Sequence, residues 1–278
     1  MIAADGTIYT SAGSPDGRIY AIRPDGSKRW SLRFPFGTPS TPIVGGDGTL
    51  YAETYGYLYA SRLAALDPLT GTMRWATYAG GFLQAGPALG PDGSAYVHGA
   101  TLFALAPGGA VRWSKLTTTS SLPTSVPVVD PNGNVYVGSD TTLYSFAPDG
   151  SARWSYIAAS APGRTAIAAS PAIGADGSIL QPITGDPPGG IVALDPATGA
   201  IRWQSYEGSH VLTSPIVDGG GWIYFVSFDN KLYALDGAGQ RQWSPLQLPA
   251  TINSAPALGT NGMLYLSGSD GKLYAVGP

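Results

Sequence analysis

Only two glutamates, Glu53 and Glu207, and two histidines, His98 and His210, occur among the 278 residues. These side-chain types suit proton transfer near neutral pH. Arg62, Arg164, Tyr156 and Tyr206 occupy comparable stretches of sequence, together with Arg33, Lys115, Tyr55, Tyr57 and Tyr78. A Tyr/His/Arg set could abstract a proton from an acidic sugar, the chemistry of a lyase. The same aromatic and arginine side chains also make good anchors for a binding surface. Either use needs the residues gathered in one place, so the elements that carry them come next.

Other catalytic chemistries drop out early. Cysteine is absent, which excludes disulfides, thiolate metal sites and a cysteine nucleophile. Its absence fits an extracytoplasmic chain, periplasmic or secreted. Ten of the 16 aspartates directly precede glycine and four more, Asp67, Asp130, Asp186 and Asp195, precede proline. Turn formation accounts for all fourteen. Asp140 and Asp229 remain, in loops between predicted strands. The stretch DPNGN at 130–134 has the look of a calcium loop but lacks the later bidentate acid, so it reads as a hairpin turn. No metal site is predicted.

Composition points to a chain with a sizeable core and many turns. Apolar residues make up 44 % and charged residues 12 %, while glycine (39) and proline (24) are abundant. The net charge of −3 comes without any basic run, which argues against nucleic acid. No apolar stretch approaches the roughly 18–20 residues that span a bilayer. The N-terminal MIAADGTIYT has no basic or apolar leader character, so an exported form would have lost its leader.

The positioning elements are repeats. Trp30, Trp75, Trp113, Trp154, Trp203 and Trp243 are spaced by 45, 38, 41, 49 and 40 residues. Each follows a glycine turn and closes a unit of four short segments. The first follows a proline (TPIV, VPVV, SPAI), the second alternates (GTLYAE, GNVYVG, GMLYLS), the third is of the type TLFALAPGG, and the fourth carries the tryptophan. Short β-branched and aromatic runs bounded by Gly, Pro, Asp and Asn read as strands. Four antiparallel strands per unit of about 40 residues describe a β-propeller. The predicted fold is therefore all-β: one seven-bladed propeller domain over 1–278, with blades near 1–37, 38–83, 84–122, 123–166, 167–210, 211–250 and 251–278. Blades are four-stranded except the last, which stops at KLYAVGP and supplies three.

Each periodic tryptophan is predicted to fill the gap to the next blade, a burial worth roughly 2–3 kcal/mol. The glycine before it would let two backbones approach. Arg29, Arg74, Arg112, Arg153 and Arg202, each preceding a tryptophan, are expected to face outward and pair between blades. Trp222 breaks the period and reads as a packing residue. Glu53 and His98 are predicted in loops between second and third strands, and Tyr206, Glu207 and His210 in a loop leaving a fourth strand. Such loops share one rim of a propeller. That rim also carries the long segments 53–62, 115–125, 156–170 and 182–190, and long loops on a rigid scaffold are where binding usually resides.

The segments ALDPLTGTMRW (65–75) and ALDPATGAIRW (193–203) resemble the tryptophan-docking motif of quinoprotein-type propellers, the PQQ-like repeats. The likeness covers essentially the whole chain. Family members include PQQ-dependent alcohol dehydrogenases, the propeller lipoprotein of bacterial outer-membrane assembly, and sensor domains of kinases. In the dehydrogenases the cofactor lies under an adjacent-cysteine disulfide beside Ca²⁺. With no cysteine here, neither PQQ nor Ca²⁺ is expected. The reading is a non-catalytic, monomeric, bacterial and extracytoplasmic scaffold that recognises a protein or glycan. Its candidate binding face comprises Glu53, Arg62, His98, Tyr156, Arg164, Tyr206, Glu207 and His210. A carbohydrate-active lyase or a degenerate PQQ-dependent enzyme is the alternative.

Overall fold

The computed structural model describes residues 1–13, 15–34, 38–55, 61–80, 86–118, 125–158, 167, 169–184, 189–207, 211, 213–252 and 254–277. Among these residues there is no α-helix, and 27 strands form seven antiparallel sheets in chain order. The fold is a seven-bladed β-propeller with a three-stranded last blade. The 27 strands are not distributed as the sequence suggests. Blade 1 lacks a regular first strand and has only an Ile2–Ile8 bridge, whereas blade 2 gains Thr38–Pro39 as a fifth.

The chain divides into two compact units, Met1–Val135 with Ala147–Ser151, and Tyr136–Phe146 with Ala152–Pro278. The first unit holds blade 1 (Ile8–Ser11, Arg18–Ile22, Lys28–Arg33) and blade 2 (Ile43–Val44, Leu50–Tyr55, Arg62–Leu66, Met73–Tyr78, plus the extra strand). It also holds blade 3 (Ala88–Leu89, Ala95–His98, Thr101–Leu105, Val111–Leu116). The second unit holds the last two strands of blade 4 (Thr142–Phe146, Ala152–Ile157) and all of blade 5 (Ala172–Ile173, Ile179–Ile183, Gly190–Leu194, Ile201–Ser205). Blade 6 (Ile216–Val217, Ile223–Ser227, Lys231–Leu235, Leu246–Gln247) and blade 7 (Ala257–Leu258, Leu264–Ser267, Leu273–Val276) complete it.

Period-two alternation gives each blade two apolar faces. Leu50, Ala52, Ala64 and Leu66 of blade 2 join Tyr9, Ile19 and Trp30 of blade 1. The intervening Tyr51, Leu63 and Ala65 join Ala95, Val97 and Leu105 of blade 3. In the second unit Ile179, Val192 and Leu194 pack with Leu143, while Leu180, Ile191 and Ala193 pack with Ile223, Phe225 and Leu235. A lone sheet could not bury both faces, so each blade depends on its neighbours.

The tryptophans hold these interfaces by a repeated device. In the first unit, the indole N–H groups of Trp30, Trp75 and Trp113 donate to the carbonyls of Pro68, Pro107 and Pro148, each at 2.9 Å. In the second, Trp154 donates to Pro196 (3.0 Å) and Trp203 to Gly237 (2.9 Å). Each acceptor lies in the next blade's third-to-fourth-strand turn. The glycine of that turn presses on the same indole. A Cβ at Gly71, Gly109, Gly150, Gly199 or Gly239 would stand 2.5–2.8 Å from Trp30, Trp75, Trp113, Trp154 or Trp203. All five glycines have φ between +73° and +86°, which disfavours any side chain independently of space. The glycine before Trp75, Trp113, Trp154, Trp203 or Trp243 thus serves the preceding blade's indole and not its own, which corrects the sequence expectation, while Gly26 before Trp30 meets nothing within 4 Å. Within each of these five blades the tryptophan sits opposite Ala21, Ala65, Ala104, Ser145 or Ala193, immediately before a β-bulge. The bulge adds local twist where the indole leaves the sheet.

Trp243 departs from this pattern. The strand it should start is interrupted by Pro245, which has no N–H to give the ladder. The fourth strand of blade 6 therefore shrinks to Leu246–Gln247, paired with Leu232 and Lys231.

Candidate functional site

In the first unit, Glu53 and His98 are strand residues and not loop residues. Glu53 lies inside Leu50–Tyr55 and His98 ends Ala95–His98. Both are buried, at 1 % and 0 % exposure. They share one repeat position, five residues after the glycines Gly48 and Gly93 that open their second strands. From there each reaches the entry of the following blade. Glu53 Oε2 accepts from the Gly86 N–H at 3.1 Å. Its Oε1 has no partner among the described residues. Burial pushes the carboxyl up to about 8, partly opposed by the Gly86 hydrogen bond.

His98 Nδ1 lies 3.0 Å from the Ser125 carbonyl and Nε2 2.9 Å from Thr117 Oγ1. A carbonyl can only accept, so Nδ1 carries hydrogen; the Thr117 hydroxyl beside Nε2 in turn donates to the Ala100 carbonyl at 3.1 Å. Both residues therefore pin one blade to the next and are shielded from any ligand in solution. Arg62 begins the third strand of blade 2, half-buried, opposite Tyr78.

In the second unit, Tyr156 lies within the fourth strand of blade 4, half-buried against a core that includes Leu143 and Ile179. Burial there raises its phenol pKa. Tyr206 follows the fourth strand of blade 5, is exposed, and donates its hydroxyl to Gln204 Oε1. Glu207 faces Arg241 at 3.6 Å. Arg164 and His210 lie outside the described residues. Among the described residues no three acidic or histidine side chains form a group able to hold a metal ion.

The periodic arginines pair within their own blades and not between blades. Arg74 reaches Asp67 (3.1 Å) and Thr49 (2.9 Å), and Arg202 reaches Asp176 (3.0 Å) and Asp195 (2.9 Å). The turn aspartates that accept backbone N–H groups therefore also anchor the fourth strand. The Arg202 guanidinium, helped by the Thr198 N–H, lowers Asp195 to about 2.

Sequence reasoning missed a second periodic feature. Three residues after five of the six periodic tryptophans stand Tyr78 and Leu116 in the first unit, and Ile157, Tyr206 and Leu246 in the second, whereas Arg33 follows Trp30. Their exposures are 52 %, 70 %, 65 %, 55 % and 42 %. Tyr78, Leu116 and Ile157 pair with Arg62, Thr101 and Thr142, the first residues of their third strands. Each of these three side chains thus stands at the end of its own blade that bears the second-to-third-strand turn. The signal was in the tryptophan register, but with parity read only for the buried indole it passed unnoticed.

A fold of this kind, with tryptophan-capped glycine turns repeated from blade to blade, defines the class of PQQ-repeat propellers. A family model described as outer membrane protein assembly factor BamB matches residues 2–173, 59–205 and 171–278. The chain belongs to that family. Among solved structures it is similar to BamB from Moraxella catarrhalis, at 18 % identity and a TM-score of 0.59 over 99 % of this chain and 94 % of that one. It is also similar to a europium-containing methanol dehydrogenase, at 15 % identity and a TM-score of 0.71 over 95 % of this chain and 71 % of the other. These two likenesses speak to fold alone. A search of curated proteins gave no match.

Proposed function

We propose that the chain is a non-catalytic, protein-binding scaffold that engages its partner through the exposed fourth-strand ends of its blades. The observation that carries this is the large apolar side chain left exposed three residues after successive tryptophans, at Tyr78, Leu116, Ile157, Tyr206 and Leu246. A folded chain loses about 25 cal/mol per Å² by leaving such surface in water, so its repetition at one position argues for a protein that covers it. Arg62, Tyr156 and Tyr206 supply aromatic and arginine anchors of the kind that dominate protein interfaces. The family's description as an assembly factor supports protein recognition and an extracytoplasmic, bacterial setting. The cysteine-free sequence agrees with that setting.

The donor set does not fit a quinone–calcium centre. Cysteine is absent from the sequence. The carboxylates at Asp67, Asp92, Asp176 and Asp195 are engaged by turn N–H groups and arginines. The buried Glu53 carboxyl is directed to the Gly86 N–H.

Photo-crosslinking tests the scaffold reading. A photoreactive residue at 116 or 157 should give a discrete protein adduct in cells, and one at Leu69, equally exposed but in a turn, should not. Leu116→Arg with Ile157→Arg should abolish the adduct while moving Tm by no more than about 2 °C, since surface changes cost little. Equal adducts at all three positions would contradict the reading. So would a Tm raised by PQQ with Ca²⁺, which would place the chain among the quinoprotein enzymes.

A further inference from the structure

In the first unit a cleft of about 440 Å³ opens between blades 2 and 3, beside the turns that join their first and second strands. Asp47, Tyr51, Leu89, Pro91, Asp92 and Pro107 line it, and among the described residues no lysine or arginine does. Its size is that of a small-molecule site. Gly46 keeps it open. A Cβ at Gly46 would meet nothing within 4 Å, and this glycine does not have a positive φ. Neither space nor backbone conformation requires glycine there. In the second unit the same turn position is Ala175, and its methyl group reaches the next blade, where a Cβ at Gly221 would stand 3.4 Å from it.

Two polar groups at this cleft lack partners that equivalent groups have in other blades. Asp5, Asp92 and Asp176 share the turn position of Asp47, and each pairs with the arginine before its own blade's tryptophan, at 3.2, 2.5 and 3.0 Å. In blade 2 that arginine, Arg74, goes to Thr49 and Asp67. Asp47 accepts from the Thr49 N–H (2.9 Å) and hydroxyl (2.8 Å) and forms no ion pair among the described residues. Tyr51 is the second such group, a side chain only 2 % exposed. At the same repeat position Tyr9 and Tyr136 donate to the carbonyls of Pro68 and Pro196, at 3.0 and 3.4 Å. The Pro107 carbonyl accepts from Trp75, and the Tyr51 hydroxyl has only the Thr49 side chain beside it. We propose that this cleft binds a primary ammonium group on an aliphatic stem, the chemistry of a lysine side chain or a free alkylamine. The ammonium pairs with Asp47 and uses the Tyr51 oxygen as a second acceptor. The stem lies along Tyr51, Leu89 and Pro107, as long cationic side chains cover apolar surface. A guanidinium fits less well, because Thr49 already occupies both Asp47 oxygens and a fork needs the two together. The site lies at the opposite end of the blades from the exposed fourth-strand ends, so either assignment can fail without the other.

The test titrates the ¹⁵N-labelled chain with pentylammonium, and with pentanol and pentanoate as controls. The amide signals of Gly46, Thr49 and Gly90 should shift saturably with millimolar pentylammonium and stay in place with either control. Asp47→Asn keeps an acceptor for the Thr49 N–H and should weaken binding by about fivefold, the upper end for an exposed ion pair. Gly46→Val should fill the cleft and abolish the shifts while moving Tm by no more than about 2 °C. Gly219→Val, at the same turn position of blade 6 and equally unobstructed, should leave binding unchanged. Tighter binding of a blocked lysine tripeptide than of pentylammonium would identify a protein's lysine as the ligand, and the reverse order a free amine. Three results would overturn the proposal: no shift at tens of millimolar pentylammonium, equal shifts with pentanol, or unchanged affinity in both Gly46→Val and Asp47→Asn.

Discussion

The junction between blades 2 and 3 and that between blades 6 and 7 start from the same repeat and end differently. At the first, Trp75 lies on Gly109, donates to Pro107 and packs against Tyr51 at 6.0 Å. Glu53 adds a second tie to Gly86. At the second, Trp243 packs with Tyr224 and Val276, and its indole N–H has no hydrogen-bond partner among the described residues. Val226 and Ser267 stand where blades 2 and 3 carry Glu53 and His98. An indole alone is therefore an incomplete joint. The glycine turn of the following blade makes it specific, because it contributes both the flat surface and the acceptor.

The largest effect should come from adding a methyl group to that turn. Gly199→Ala puts a Cβ 2.6 Å from Trp154 at φ +73°, whereas Gly26→Ala meets open space at φ +83°. Urea unfolding should show a loss of about 3 kcal/mol or more for the first and about 1 kcal/mol for the second. Equal losses would mean that backbone strain, and not the indole contact, fixes the glycine. Removing the indoles should give the next contrast. Trp75→Ala should cost about 3–4 kcal/mol, through cavity and hydrogen bond together, and Trp243→Ala about half as much.

The Glu53 tie should make the blade 2 junction sensitive to pH. Its carboxyl titrates near 4.5 when unfolded and at about 8 when folded. The folded state thus binds more protons across that window, and stability falls as pH rises from about 4.5 towards 8. Glu53→Gln should flatten that slope and gain a kcal/mol or so at pH 8, read from Tm against pH. The smallest effect belongs to the surface ion pairs. Arg112→Ala should cost no more than about 1 kcal/mol, since Arg112 and Asp92 are both well exposed.

Most of the architecture was legible because a propeller writes itself repeatedly. Tryptophan spacing, Asp-Gly turns and alternating runs each recur, so one misread unit is corrected by the next. The three strands of the last blade were equally visible in its sequence, which runs to KLYAVGP. The candidate site was less legible, for a reason seen in Glu53 and His98. They share a repeat position whose residue type changes from blade to blade, and nothing in a single sequence marks where a strand ends to within one residue. The second strands run further than their alternation suggests, which turned predicted loop residues into buried ones. The arginine partners were hidden too, because the aspartate end of each ion pair sits in a turn already explained by glycine or proline. Tyr156, Tyr206 and the apolar residues three positions past five of the tryptophans emerge once strand register is known.

Hydrogen exchange of the seven indole N–H groups, followed by ¹⁵N–¹H NMR, tests the capped-tryptophan account most directly. Trp30, Trp75, Trp113, Trp154 and Trp203 should exchange slowly, with protection close to that of core amides, while Trp222 and Trp243 exchange within the dead time. A protected Trp243, or rapid exchange at any of the five capped indoles, would contradict it.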